Sequence, residues 1–152
     1  MEPEAVQGTG AERAPRQRLP RALRIARQAH FQRAYRDGSR AKGSILTVVA
    51  VPNGLPHPRI GLSVGRSVWK SAVRRNRVRR IFREAFRLSR SELPAGFDLV
   101  LIPASPRLEP ELAATREELV RLARKAAARA ADRASRRAEG DQKERSTSPG
   151  SQ

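Results

Sequence analysis

From Ala72 to Ser89 two patterns are laid over one another. At 100° per residue Val78, Ile81, Phe82, Ala85, Phe86 and Leu88 share one broad stripe, while Asn76, Arg79, Arg80, Arg83 and Arg87 lie opposite. Ser71 stands where an N-cap is expected. A helix of this kind must bury one side and keep the other in water, so it has to lie on the outside of an apolar layer. The charge is lopsided as well as abundant. Residues 66–90 carry ten basic side chains (66, 70, 74, 75, 77, 79, 80, 83, 87 and 90) against the single acid Glu84, which is +9 of a net +17. Residues 111–145 carry ten basic side chains against seven acids, only +3.

The layer beneath the helix is expected to be one sheet. Ile45–Val51 is rich in β-branched residues and closed by Pro52-Asn53-Gly54, and reads as a strand buried on both faces. Arg59–Val64 reads as a second strand with Ile60, Leu62 and Val64 turned inward, and the Pro- and Gly-rich connection suits an antiparallel hairpin with a long loop. Phe97–Ile102, ended by Pro103, is a third strand. A short helix over about Ala26–Arg36 places Phe31, Ala34 and Tyr35 on one face, with Gly38 as its stop. A final helix over about Glu111–Ala134 offers Leu112, Thr115, Leu119, Leu122, Ala123 and Ala126. One sheet covered by helices follows from this order. The domain is placed at 18–135, with 1–17 and 136–152 expected to be disordered tails because they are too polar to offset the entropy of ordering.

Several chemistries are excluded. There is no cysteine, hence no disulfide, thiolate metal site or cysteine nucleophile, and His30 and His57 are the only imidazoles. No run of apolar residues approaches the roughly 18–20 of a membrane span, and none near Met1 resembles a signal peptide, so a cytoplasmic location is expected. An excess of arginine on one helix face favours a polyanion. A solvated face would mix acids among the arginines, and a membrane helix would need the apolar stripe that the sheet requires. Nucleic acid is left, and arginine suits bidentate phosphate contacts.

The run Ala72-Val73-Arg74-Arg75-Asn76-Arg77-Val78-Arg79-Arg80-Ile81-Phe82-Arg83-Glu84-Ala85-Phe86-Arg87 closely resembles the signature of the bacterial ribonuclease P protein component. The segments Arg18-Leu19, Phe31-Gln32-Arg33-Ala34-Tyr35 with Gly38, Arg59-Ile60-Gly61-Leu62-Ser63-Val64-Gly65-Arg66 and Gly96-Phe97-Asp98-Leu99-Val100-Leu101-Ile102 resemble other parts of the same family, in order, over about Arg18–Lys125. The resemblance implies a single small α+β domain, an α-β-β-β-α-β-α sandwich with a central sheet packed by helices. It also implies a left-handed βαβ crossover, against the usual right-handed rule. Since only three strands are read from the residues, the fourth is accommodated by splitting or extending the 45–51 and 59–64 region.

The same resemblance implies the function. The chain would bind the catalytic RNA of ribonuclease P and the 5′ leader of precursor tRNA, and assist endonucleolytic removal of that leader. The RNA, with Mg²⁺, would carry the chemistry, so no catalytic residue, metal ligand or cofactor is assigned to the protein, and neither a membrane nor a small-molecule substrate is expected. Arg74, Arg75, Asn76, Arg77, Arg79, Arg80, Arg83 and Arg87 match the family motif and are assigned to the RNA, with Asn76 at a backbone or 2′-OH contact. Arg66 and Lys70 lie in the loop that the family places close to the RNA's catalytic centre; Trp69 between them either stacks on a base or packs on the helix. Phe31 and Tyr35 match aromatics that line the leader cleft, where stacking tolerates any base. Plain core packing at i, i+4 competes with that role. Leu46 and Val49 are aliphatic where some relatives place leader-facing aromatics. The alternatives are a structural RNA-binding protein of ribosomal type, a stand-alone nuclease and a DNA-binding module.

Overall fold

The computed structural model describes residues 19–65 and 71–147. A 3-10 turn at Arg21–Leu23 leads into α1 (Gln28–Asp37), then β1 (Ser39–Lys42), β2 (Leu46–Pro52), β3 (Arg59–Leu62), α2 (Ala72–Ser89), a second 3-10 turn at Arg90–Glu92, β4 (Phe97–Pro103) and α3 (Leu112–Thr147). This is the expected α-β-β-β-α-β-α order.

The strands form one mixed sheet in the order β1-β2-β4-β3. β2 pairs antiparallel with β1 and with β4, and β3 runs parallel to β4. The expected β2–β3 hairpin is therefore corrected: the two strands have opposite senses, but β4 lies between them. The 53–58 loop spans two inter-strand spacings, about 9.6 Å, and is tied down by a buried carboxylate. Asp98 of β4 is wholly buried and receives both Nε and Nη2 of Arg59 at 2.8 Å and Nδ2 of Asn53 at 3.0 Å. Oδ1 of Asn53 in turn accepts the Leu55 amide at 2.8 Å, and Gly54 takes the left-handed φ of 71° that this turn needs.

The fourth strand is not made by splitting the 45–51 and 59–64 region; it is β1, ahead of both. Only Ala41 in Ser39–Lys42 is buried, so the segment offers no apolar alternation and pairs through its backbone at the sheet edge.

Alternation sorts the core into two layers. Leu46, Val48, Ala50, Ile60, Leu99 and Leu101 face α2 and α3, meeting Val78, Phe82, Ala85 and Phe86 of α2 and Leu119, Leu122, Ala123 and Ala126 of α3. Val49, Val51 and Val100 turn the other way and pack with Ile25, Ala34 and Phe31. The unbroken apolar run of β2 thus has a cause, since it is covered on both faces. Each such fully buried aliphatic contributes about 1.5–3 kcal/mol.

α3 closes the β1–β2 turn with a second buried carboxylate. Glu118 accepts the amides of Ser44, Ile45 and Leu46 at 3.2, 2.7 and 2.9 Å and the Ser44 hydroxyl at 3.1 Å. A side chain at Gly43 would collide with it, its Cβ 2.4 Å from the carboxylate. The helix does not stop near 134. It continues to Thr147, through residues expected to form a tail, because its Ala- and Arg-rich sequence favours helix even where nothing is buried. The tail at 1–17 lies outside the described residues.

Candidate RNA interface

α2 starts where Ser71 caps it, Oγ accepting the Arg74 amide at 3.3 Å. Its buried residues are Val78, Phe82, Ala85, Phe86 and Ser89. Ile81 is half-buried, and Leu88, expected in the stripe, is instead exposed. The stripe anchors the helix by one side and leaves the arginine side outward. Arg74, Asn76, Arg77, Arg80 and Arg83 are exposed, and Arg75, Arg79 and Arg87 are half-buried.

The assigned residues are not equivalent. Arg79 donates from Nη2 to the Val64 carbonyl at 3.2 Å, joining the helix to the end of the β3 segment. Arg74 lies 3.8 Å from Glu109, both side chains well exposed. Arg87 grips Glu84 through Nε, at 3.1 Å, and through Nη2. Its pKa is raised by that hydrogen bond, so this motif arginine is already engaged by the one acid of the helix. Arg66 and Lys70, with Trp69, lie outside the described residues.

Around Arg83 the charges of several arginines converge. Desolvation lowers the pKa of its guanidinium, and the charges of Arg79, Arg24 and Arg80 push it the same way. Arginine stays protonated, so the four guanidinium groups repel one another. Arg24 is not among the residues that the sequence singles out. It follows the first 3-10 turn and bridges Ile60 of β3, which carries it to the α2 side of the sheet. Nothing in the periodicity of the 19–27 segment shows that.

The second set of residues lies on the opposite sheet face. Phe31 and Tyr35 of α1 have ring centroids 6.5 Å apart, tilted by 39°. Phe31 is half-buried against the Ile25, Ala34, Val49, Val51 and Val100 cluster, while Tyr35 is 40% exposed. Gly61 of β3 lies under the Phe31 ring, and a Cβ there would come within 2.9 Å of it. α1 leaves Thr47 and Ile102 of the same face only half-buried, in register with one another, and Lys42 pairs with Thr47 from the edge. Of the two sheet positions expected to face this cleft, Val49 does. Leu46 does not, because alternation turns it into the layer under α2 and α3.

Among the described residues no three His, Asp or Glu side chains gather to hold a metal ion, and no helix is long and apolar enough to cross a membrane.

The chain matches the Ribonuclease P family over residues 19–127. It is 42% identical to the ribonuclease P protein component of Idiomarina loihiensis over 110 residues, 72% of this chain and 87% of that one. It is 41% identical to that of Methylococcus capsulatus over 88 residues, 58% and 68% of the two chains. Among solved structures, the RNase P protein of Staphylococcus aureus superposes with a TM-score of 0.60 at 28% identity, covering 70% of this chain and 96% of its own. The RNase P protein of Thermotoga maritima does so with a TM-score of 0.59 at 29% identity, covering 67% and 96%.

Proposed function

Since the chain belongs to the ribonuclease P protein family, the protein partner of ribonuclease P RNA in 5′ processing of tRNA, we propose a division of labour between its two faces. The outward side of α2, joined by Arg24, binds the catalytic RNA. The α1 face, with Tyr35 exposed and Phe31 behind it, takes the single-stranded leader of precursor tRNA. The phosphodiester bond is cut by the RNA with its own Mg²⁺, and the protein adds affinity and position. The observation that carries this reading is the outward side of α2, where Arg74, Arg77, Arg80 and Arg83 are exposed on a helix anchored by its buried stripe; burial, with the charges of Arg79, Arg24 and Arg80, lowers the Arg83 pKa there. A folded domain tolerates such crowding when a polyanion relieves it, and the phosphates of RNA do so with release of counterions.

The test is to mix the protein with a bacterial ribonuclease P RNA at low Mg²⁺ and follow 5′ maturation of precursor tRNA. Stimulated cleavage is expected, with none from the protein alone. Binding to structured RNA without stimulation would favour a structural protein of ribosomal type.

A further inference from the structure

Past residue 127, where the family match ends, α3 carries arginines at one-turn intervals. Arg129 Nη1 donates to the Arg40 carbonyl at 2.5 Å, Arg133 Nη1 donates to the Gly38 carbonyl at 2.9 Å, and Arg137 lies 3.6 Å from the Asp37 carboxylate. As the helix number rises the strand number falls, so the helix runs antiparallel along β1, the edge strand of the sheet. The spacing has a simple geometric basis. Four helical residues rise about 6 Å, and carbonyls two residues apart on one side of a strand are separated by about 6.7 Å. Arginines at i and i+4 therefore meet successive outward carbonyls of the strand. Without them these carbonyls would face water on an open edge.

The upper rungs add to a corner otherwise held by α1 packing, by Arg33 on the Pro52 carbonyl and by the pairing of Ser39 with Ala50. α1 ends at Asp37, buries only Ala34 and has no side-chain N-cap. Gly38 is packed so closely that a Cβ would lie 2.4 Å from the Ala34 carbonyl. Asp37 is an acid at a helix C-terminus, where the dipole disfavours it. Its pKa is nonetheless lowered, by the Arg36 hydrogen bond first and also by the charges of Arg137 and Arg133. Tyr35 sits two residues before this corner.

We propose that Arg129, Arg133 and Arg137 are positioning residues for the leader cleft, fixing the α1–β1 corner and with it the exposed ring of Tyr35. This rests on assigning that cleft to the leader. The ladder's arginines are exposed but partnered by the Arg40 and Gly38 carbonyls and the Asp37 carboxylate, and through that corner they act on Tyr35.

The holoenzyme is reconstituted from the full chain and a bacterial ribonuclease P RNA. Dissociation constants are measured for mature tRNA and for precursor tRNA with a leader of several nucleotides. Arg133→Ala with Arg137→Ala should lower the preference for precursor about threefold or more, a part of what one stacked base contributes, leaving affinity for mature tRNA and for the catalytic RNA unchanged. Arg133→Lys with Arg137→Lys should restore most of it. Should the alanine pair unfold, Arg137→Ala is measured instead. It removes the top rung alone, leaving the Arg36–Asp37 contact in place, and should still lower the preference. Tyr35→Ala runs in parallel. If Tyr35→Ala lowers the preference while the ladder variants do not, the ladder only covers the sheet edge and the proposal is overturned. If Tyr35→Ala also leaves the preference unchanged, the leader cleft itself is misassigned and the proposal falls with it.

Discussion

Arg79 of α2 reaches back to the carbonyl oxygen of Val64, 3.2 Å away, just past the end of β3. The contact makes Arg79 part of the scaffold as well as part of the charge. Arg77 and Arg80 on either side of it are exposed. A motif that is uniform in sequence is thus divided by the fold into residues that hold the helix and residues that offer charge outward.

That division separates two kinds of variant. Arg77→Ala and Arg80→Ala should each weaken binding to the catalytic RNA and reduce the slope of log affinity against log salt by about 1 for each phosphate no longer neutralised. Thermal stability should stay within about 0.5 kcal/mol of wild type, as for other exposed substitutions. Arg79→Ala should weaken RNA binding too, and in addition lose about 0.5–1.5 kcal/mol of stability with its hydrogen bond. Salt titrations and thermal melts on the three variants check this. Equal stability in all three would show that the Val64 contact contributes nothing.

Glu118 sets the acid limb of stability. Burial raises its pKa, but the amides of Leu46, Ile45 and Ser44 and the Ser44 hydroxyl outweigh that, and the net shift is downward from the usual glutamate value. A group depressed in the folded state stabilises fully above its unfolded pKa, and the contribution fades as pH falls through the folded value. Stability should therefore drop in the acid range below about pH 4.3, the usual glutamate value. Glu118→Gln should lose about 1.5–3 kcal/mol at neutral pH, since a neutral amide oxygen replaces an ion that accepts several bonds. Its stability curve should be flatter across the acid range. Denaturant melts at a series of pH values read both effects, and parallel curves for the two proteins would rule the linkage out.

What the sequence shows depends on whether side chains or backbone make the element. α2 is legible to the residue because cap, period and charge all mark Ala72–Ser89. β2 and β4 are legible because burial on both faces requires runs that are almost wholly apolar, broken only by Thr47 and by the paired Asp98. β1 is not, since three of its four residues are polar and its bonds are main-chain. The β2–β3 relation misleads because turn residues mark a reversal of the chain and say nothing of which strand later inserts. Of the candidate site, the arginines of α2 are visible in the sequence. The capture of Arg87 by Glu84 is an i,i+3 pair within one helix, which spacing alone could have marked; the arrival of Arg24 is not visible, for it depends on tertiary placement. Arg66 and Lys70 lie outside the described residues.

Asp98 has a wholly buried side chain facing an Arg59 that is 18% exposed. The Asp98 hydrogen bond raises the Arg59 pKa, so the guanidinium holds its charge against the burial around it. Removing one member of such a pair leaves the other uncompensated, at a cost of about 3–5 kcal/mol. Asp98→Ala should lower the melting temperature by on the order of 10 °C and release Asn53, whose Nδ2 loses its 3.0 Å partner. Proteolysis confined to the 53–58 loop is the expected accompaniment. A variant that melts as wild type would mean that the 53–58 loop holds itself.

Phe31 is where core and binding surface compete, and Gly61 decides between them. A Cβ at Gly61 would stand 2.9 Å from Cε1 and Cζ of the Phe31 ring and 3.2 Å from Cβ of Ile25. The first two approaches are closer than packed atoms tolerate, so one side must move. Its φ is not in the left-handed region, so the effect of Gly61→Ala comes from crowding and not from backbone strain. Overpacking of this kind costs about 1–3 kcal/mol. If the ring is fixed in the core, Gly61→Ala should be destabilising, and Phe31→Leu should recover part of the loss by withdrawing the atoms that clash. The two substitutions would then be coupled in a double-mutant cycle by about 0.5 kcal/mol or more. If the ring instead swings freely toward the cleft, Gly61→Ala should cost little, and the substitutions should add. Thermal melts of the two single variants and the double variant give the cycle, and additivity would return Phe31 to the binding surface beside Tyr35.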